Sequence, residues 1–579
     1  MCVAGIGELK KNGFKIKMPV TLLMFAASAV LLGFIHPPVG IWILAWVGYV
    51  PFIIASLRED KFWRTGLWAW IIGSVYWLCS LSFVAPVTIW GWVLFCLYSG
   101  VLWVLLAYGF RVARRYNVPL FLAAGIIIVA VENLQGFLLG SFYWRWLAHS
   151  QYSNILLIQL TDIFGASGVS FLVAMSSGLV AEFVLVLTSK KRLLLKHAAH
   201  AAVFLVLVTA ALLYGKYRVD EFKNCVEQGP MVAAIQTNVP QSVKIESSQE
   251  SVEQIFNDMI TMSSQAFDAG AKMTVWPETM VQAILDKRVL ALIGRDNYHA
   301  VFNRRLLEHV RDRGYVLAGA SGAEPELKED FSIELKRRYN SAFLYTPFAE
   351  QACQYDKIHL VPFGEVVPFK RTVPWLYDFM MVFTPYDYDY SLDEGQEFTI
   401  FNMNCDDDEA WRFGVMICYE DVVPGIARSF ALNEQGKKQV DWLLNISNDG
   451  WFIQGDGEQR RVTSELAEHL AVCVFRAVEN RVSILRSVNT GISCLIDSAG
   501  RIKDGYQNSS PNFPEIAMDR TVVQGWFMDK VGVDRRITIY SRYGRILAYC
   551  SLIVFFGLLF SRPIALFKNR LIKRGTEKK

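Results

Sequence analysis

Long apolar runs fill the chain up to about residue 216; beyond it, apolar positions come in strand-length pieces between charged segments of helical period. Runs at about 19–35, 38–57, 65–85, 88–112, 118–140, 165–188 and 197–215 each approach the roughly 20 residues a helix needs to cross hydrocarbon. An eighth, at about 546–561, follows the more polar region. The pattern predicts a membrane domain over 1–215 with seven transmembrane helices, a water-facing domain over 216–545, and a closing transmembrane helix with a basic tail over 546–579. Within the water-facing part, 231–238, 272–278, 315–321, 341–346, 411–418, 441–448, 482–489 and 493–497 read as strands, several continuously apolar as in strands covered on both faces. Helical patterns at about 248–269, 300–313, 422–434 and 459–479 alternate with them, which predicts an α/β layered domain.

Charge orients these elements. Lys10, Lys11, Lys15 and Lys17, then Arg58, Lys61 and Arg64, then Arg111, Arg114 and Arg115, then Lys190, Lys191, Arg192 and Lys196 mark loops that alternate with loops nearly free of Lys and Arg. Lys568, Arg570, Lys573 and Arg574 make the tail basic as well. By the positive-inside rule both termini are expected in the cytoplasm and 216–545 on the far side of the membrane. The Lys-rich start followed by Ala27-Ser-Ala29 invites comparison with a cleaved leader, but losing the first span would invert the charge pattern of the rest.

A composition that is 53% hydrophobic excludes an ordinary soluble protein, and the net charge of +4 comes from the membrane flanks, so no nucleic-acid partner is expected. Ten cysteines without a CxxC pair or zinc spacing give no metal site and no disulfide framework. Glu132 and Glu182 stand inside predicted spans, where a carboxylate is costly unless it faces the bundle interior. Arg145 falls near an interface, where contact with a phospholipid headgroup and simple snorkelling are equally open.

The candidate chemistry centres on Trp411-Arg-Phe-Gly-Val-Met-Ile-Cys418-Tyr-Glu-Asp421, an apolar strand that ends at a thiol followed by two carboxylates. A strand that delivers Cys to a turn before a helix presents sulfur at a sheet edge, where a nucleophile reaches substrate. Two other strand ends carry candidates, Glu278 in Val275-Trp-Pro-Glu-Thr279 and Lys357 in Tyr355-Asp-Lys-Ile-His-Leu-Val-Pro-Phe-Gly-Glu365. Acyl chemistry on a thiol needs a base, which Glu278 can supply, and a cation beside the developing oxyanion, which Lys357 can supply while favouring the thiolate. Glu365 is placed to orient Lys357 or to act as a second acid. Tyr419 and Glu420 are placed to position the nucleophile and its leaving group, and Asn445, Asn448, Asp449 and Asn489 to shape the walls. Taken singly, each has a bland reading as a turn, surface or core residue; their order along the chain is what marks a site. After the Lys357 motif, residues 366–395 form an aromatic, Met-rich insertion, expected to be a lid whose Trp375, Leu376, Phe379, Met380 and Phe383 rest on the membrane interface.

Glu278, Lys357 and Cys418 in that chain order resemble the catalytic triad of the nitrilase, or carbon-nitrogen hydrolase, superfamily. The runs Thr161-Asp-Ile-Phe-Gly-Ala-Ser-Gly-Val-Ser-Phe171, Gln236-Thr-Asn-Val-Pro-Gln241, Lys357 to Glu365, Cys418-Tyr-Glu420, Ser447-Asn-Asp-Gly-Trp-Phe452 and Arg486-Ser-Val-Asn-Thr-Gly491, with seven spans ahead of the soluble domain and one behind it, resemble the bacterial apolipoprotein N-acyltransferases. Thr237 departs from the glycine common in that family, and Ile245 stands after Lys244 where the family commonly has Trp. The resemblance implies a four-layer αββα sandwich and an inner-membrane, multi-pass enzyme working on the periplasmic side. It also implies a reaction in which Cys418 takes an acyl chain from a phospholipid and passes it to the N-terminal amine of a diacylglyceryl-cysteine apolipoprotein. Glu278 would move the protons, Lys357 would steady the oxyanion, and neither metal nor organic cofactor is expected. The alternatives are a membrane-tethered amidase acting on a small C–N substrate, and a lipid-binding or scaffold protein with a decayed site, against which the complete set of three residues argues.

Overall fold

The computed structural model describes residues 18–59, 61–137, 141–189, 193–241, 244, 248–330, 332–367, 373–382, 390–405, 410–455 and 460–560. Phe383, Ile245 and the basic residues singled out at 10–17, 190–192 and 568–574 lie outside them. The chain divides into two compact units, one of Met1–Ser82, Trp92–Gly215 and Arg545–Lys579, the other of Phe83–Gly91 and Lys216–Gly544.

The first unit is helical. Among the described residues, four helices are long and apolar enough to cross a membrane: Ile89–Arg115, Leu120–Phe137, Ala166–Thr188 and Leu195–Cys225. Shorter apolar helices, Val20–Gly33 and Ile546–Phe560, stand where the first and last spans are expected, and Phe62–Ser80 stands at the third. The second expected span, 38–57, is not one continuous helix. It opens with a 3-10 turn, Trp42–Trp46, and restarts as Val50–Arg58, with proline in the first turn. Pro51 has no N–H to continue a ladder from the residues before it, so it begins a helix.

Small residues let these helices approach. A Cβ on Gly178 would meet the Leu120 carbonyl oxygen at 2.2 Å, so Ala166–Thr188 can lie directly on Leu120–Phe137 only with glycine there. The carboxylates inside the spans find partners within this unit. Glu132 Oε1 accepts the Leu147 N–H at 2.7 Å, and Glu182 Oε1 lies 2.8 Å from His200 Nδ1. Arg145 reaches the Tyr76 hydroxyl at 3.4 Å and the Gly33 carbonyl at 3.3 Å.

The second unit is built on two sheets. The larger orders its strands Asn508–Ser509, Gly525–Asp534, Val226–Gln236, Met273–Val275, Tyr315–Leu327, Ile333–Thr346 and Glu350–Asp356, with Val281–Ile284 also on Tyr315–Leu327. The smaller orders Cys494–Ile496, Ser483–Val488, Trp442–Ser447, Ala410–Ile417 and Phe401–Asn404. The sheets face each other across Ser483–Val488, whose Ser487 hydroxyl lies 2.8 Å from the carbonyl oxygens of both Ile235 and Val275 and can donate to either. On the outer side of the larger sheet, Gln249–Asp268 and Tyr298–Val310 bury Ile255, Phe256, Met259, Phe302 and Leu306 against Trp276 and Val316. Pro424–Ala431 and Glu465–Asn480 pack together beside the smaller sheet. The arrangement is the expected αββα sandwich.

The predicted helices match Gln249–Asp268, Tyr298–Val310, Pro424–Ala431 and Glu465–Asn480, the last two shorter than expected by several residues. The strand expected at 341–346 begins at Ile333, because its first half alternates exposed and half-buried residues and lacks an apolar run. Gly525–Asp534 was not expected at all. It carries Asp529 and Lys530 in its middle, yet pairs antiparallel with Val226–Gln236 along nearly its whole length.

Candidate active site

Three strand ends supply the candidate residues. Glu278 follows Met273–Val275 and Lys357 follows Glu350–Asp356 in the larger sheet, while Cys418 follows Ala410–Ile417 in the smaller one. The turn carrying Glu278 lies against Tyr315–Leu327 because Gly319 has no side chain. A Cβ there would meet the Pro277 oxygen at 2.3 Å and the Glu278 Cα at 2.8 Å.

Cys418 has φ of +51°, a left-handed conformation that a residue with a Cβ holds only when its surroundings impose it. The surroundings are Glu420 and Asn445. Glu420 Oε2 accepts the Ile417 N–H at 2.8 Å, and Asn445 Nδ2 donates to the Cys418 carbonyl at 3.1 Å. Glu420 Oε1 meanwhile accepts from the backbone of Ile358 at 2.8 Å, the backbone of His359 at 3.1 Å and the Tyr355 hydroxyl at 2.9 Å. Of the two uses expected of Glu420, these contacts bear on the first, positioning the nucleophile. Its carboxyl is used up in tying the Cys418 turn to the loop that follows Lys357, and burial pushes its pKa up to about 7. Tyr419 is half-buried and stacks on His359 at 6.1 Å between ring centroids.

Lys357 is fully buried between two carboxylates, its Nζ 2.8 Å from Glu365 Oε2 and 3.3 Å from Glu278 Oε1. Burial opposes its charge, but Glu365 and Glu278 outweigh that and hold the ammonium well above the ordinary lysine value. Asn340 links the same two acids, donating from Nδ2 to Glu278 at 2.7 Å and to Glu365 at 2.8 Å. The second oxygen of Glu278 accepts the Asn448 N–H at 2.9 Å, and Glu365 Oε2 also accepts the Val361 N–H at 2.9 Å. Glu365 therefore stands where it can orient Lys357, the first of the two roles expected of it.

Burial and the charge of Glu278 push the Cys418 thiol well above the ordinary cysteine range, and Lys357 pulls it back only in part. Lys357 thus pulls toward the thiolate, the direction expected of it, but burial and Glu278 outweigh it. Glu278 is the carboxylate whose charge bears most on the thiol.

A second group of charges lies behind Cys418. His469 Nε2 is 2.8 Å from Asp421 Oδ1, its Nδ1 is 3.3 Å from Asp449 and 3.5 Å from Glu465, and Arg486 Nη1 is 2.6 Å from Asp421 Oδ2. Asp449, Glu465 and His469 offer ligand atoms within 4.8 Å of one another, the spacing of a metal site. Arg486 Nη2 stands beside it, 3.8 Å from Asp449 Oδ2. Burial works against the imidazolium, but Asp421 and Asp449 raise His469 to about 10, while burial pushes Glu465 well above the ordinary carboxylate range.

The remaining expectations divide. Asn448 and Asn489 hydrogen-bond to each other, and Asn489 Oδ1 accepts from Thr237 Oγ1 at 2.6 Å and from the Val239 N–H at 2.7 Å. Trp375 and Phe379 lie on the helix Pro374–Met381, which buries none of its residues, and are 72% and 58% exposed. Sequence reasoning missed Asn340, which carries no charge and sits mid-strand, and the cluster around His469. It also passed over Lys244, whose Nζ donates to Thr279 Oγ1 beside Glu278.

Comparison with known proteins bears on what this geometry is for. The carbon-nitrogen hydrolase family matches residues 231–526, slightly more than half of the chain. The chain belongs to that family. Residues 28–179 match the apolipoprotein N-acyltransferase N-terminal domain. Relatives similar over almost the whole length include the apolipoprotein N-acyltransferase of Geobacter metallireducens, 29% identical over 91% of this chain and 92% of its own. Apolipoprotein N-acyltransferase 1 of Treponema denticola is 26% identical over 98% of this chain and 100% of its own. Among solved structures, an amidase from Nesterenkonia sp. aligns over 56% of this chain and 97% of its own at 16% identity, with a TM-score of 0.32, too loose a likeness to carry an argument. The matches to both halves of this carbon-nitrogen hydrolase agree with the resemblance drawn from its motifs.

Proposed function

We propose that this chain is an apolipoprotein N-acyltransferase that carries its acyl group on Cys418. The observation that carries the reading is the joint one. A buried Lys357 clamped by Glu278 and Glu365 acts on a thiol in a strained turn, in a chain that resembles apolipoprotein N-acyltransferases across both of its halves.

Glu278 takes the Cys418 proton as sulfur attacks the acyl ester of a phospholipid. Lys357 and the backbone N–H groups that follow the nucleophile stabilise the tetrahedral oxyanion. Its collapse releases a lysophospholipid, protonated by Glu278, and leaves a thioester. The α-amine of a diacylglyceryl-cysteine then attacks the thioester, Glu278 accepts the amine proton and returns it to sulfur, and an amide is formed in a ping-pong cycle. The exposed apolar helix Pro374–Met381 meets lipid and admits acyl chains. Relatives named for acyl transfer over nearly full length weigh against the small-substrate amidase, which needs one anchor at most.

Incubation of the purified protein with labelled phospholipid should leave one acyl equivalent on Cys418, released by hydroxylamine, and none on Cys418→Ala. Normal transfer by a folded Cys418→Ala protein would sink the reading. The positive-inside pattern further supports a reading with both termini in the cytoplasm and residues 216–545 outside it. A reporter that works only outside the cytoplasm should be active when fused near residue 510, and activity there of a cytoplasm-only reporter would reverse the orientation.

A further inference from the structure

Lys244 lies in none of the roles assigned so far. It follows Gln236-Thr-Asn-Val-Pro-Gln241, a segment stapled to the site. Asn489 Nδ2 donates to the Val239 carbonyl at 2.8 Å, Asn448 Nδ2 donates to Gln241 Oε1 at 3.1 Å, and the Lys244 N–H closes a turn onto the Pro240 carbonyl at 3.2 Å. That turn brings the half-buried side chain onto Thr279, the residue after Glu278, itself held in a left-handed conformation at φ +50°. The charges of Glu278, Cys418 and Glu365 all act on the Lys244 ammonium, so it belongs to the same site as the nucleophile.

The two lysines of the site differ in their partners. Lys357 donates to two carboxylates and is closed off from solvent. Lys244 donates to a hydroxyl, and among the described residues no carboxylate stands within ion-pair distance of its Nζ. An ammonium donates up to three hydrogen bonds, so Lys244 keeps capacity for an anion that comes with the substrate. On a glycerophospholipid the anion nearest the reacting ester is the phosphodiester, one glycerol unit away.

We propose that Lys244 anchors the phosphodiester of the acyl donor, fixing the glycerol so that the ester carbonyl meets Cys418. The inference rests on the acyl-transfer reading above and adds the group that selects a phosphate-bearing donor. Burial draws the Lys244 pKa down to about 8, with Glu278, Cys418 and Glu365 pulling it back. The anchor is therefore charged below about pH 8 and fades above it, and a bound phosphodiester shifts it upward.

The test uses the full-length protein in mixed micelles with two donors, a phospholipid and the diacylglycerol of the same acyl chains, reading thioester formation at Cys418. In Lys244→Gln the preference for phospholipid over diacylglycerol should fall about 10- to 100-fold, the value of one charge-assisted hydrogen bond, mostly through KM. Lys244→Arg should restore most of that preference, and thermal unfolding of both variants should match the parent. The parent's KM for phospholipid should rise above about pH 8 while its KM for diacylglycerol does not. A preference unchanged in Lys244→Gln would overturn the anchor, whether both donors slow equally or only discharge of the thioester to the amine is lost. A parent protein that forms no thioester with either donor would instead overturn the acyl-transfer reading itself.

Discussion

Two groups of buried charges flank Cys418, and they are built for opposite ends. On the side of the larger sheet, two carboxylates share Lys357, and Glu278 from this group acts on the thiol. On the side of the smaller sheet, Asp421 and Asp449 face His469 and Arg486, all four essentially sealed from solvent. In the second group opposite charges balance. Burial disfavours the ionised forms of Asp421 and Asp449, yet His469 and Arg486 more than reverse this and hold both carboxyls below their usual range. Charge density does not distinguish a reacting site from a scaffold, since both groups have it. Under the proposed function, what distinguishes the first is an acid set to act on a strained nucleophile, and a cation set where an oxyanion would develop.

The comparison breaks if the two groups respond alike to conservative changes. In Lys357→Arg the planar guanidinium cannot take the place of a compact ammonium between Glu278 and Glu365. Acyl transfer should fall by about 100- to 1,000-fold, the size of losing one oxyanion donor, with a smaller fall in unfolding temperature than in His469→Gln because a positive charge stays near the two carboxylates. His469→Gln should do the reverse. It leaves Asp421 and Asp449 short of a buried counter-charge, at a cost of about 3–5 kcal/mol of stability. The pH dependence gives a sign. His469 is raised from its ordinary 6.5 to about 10, so the stability it contributes is complete below about pH 6.5 and is lost as pH rises toward 10. The gap in unfolding temperature between parent and His469→Gln should be widest below pH 6.5 and close toward pH 10. Near-normal rates in Lys357→Arg, or a gap that widens with pH, would erase the distinction.

The same contrast explains which parts were legible beforehand. Cys418 and Glu278 follow apolar strands, a local pattern that a single sequence displays, whereas Lys357 follows the largely polar Glu350–Asp356 and is marked by its motif; the strand ends converge because the sandwich brings them there. Asn340 bridges Glu278 and Glu365 across 62 and 25 residues of chain, and nothing in its own neighbourhood announces it. Arg486 stood in a recognised motif, but its partner Asp421 lies 65 residues away, so the pairing emerges only from the fold. For Glu420 the place beside the nucleophile is legible and the partners of its carboxyl are not. Sequence puts it beside the nucleophile, while the backbone turns its carboxyl toward Ile358 and His359. Among the strands, Gly525–Asp534 escaped because Asp529 and Lys530 interrupt its apolar run, and the former is buried only by virtue of Lys503 at 2.6 Å.

The smallest effect expected concerns a region that resembles neither charge group, the exposed helix Pro374–Met381. Trp375 and Phe379 sit on it at 72% and 58% exposure, where a water-facing loop has no reason to hold large apolar side chains. Burying such a side chain is worth about 1.5–3 kcal/mol, so the pair can hold this helix to lipid without making the contact permanent. Trp375→Ser with Phe379→Ser should slow acylation from bilayer phospholipid several-fold to tenfold or more, while a small water-soluble thioester that needs no lipid contact reacts at nearly the parent rate. Because the charge groups are untouched, unfolding temperature should hardly move. Equal losses on both donors would mean that these side chains pack the domain, and the helix would have to be returned to structure rather than to lipid access.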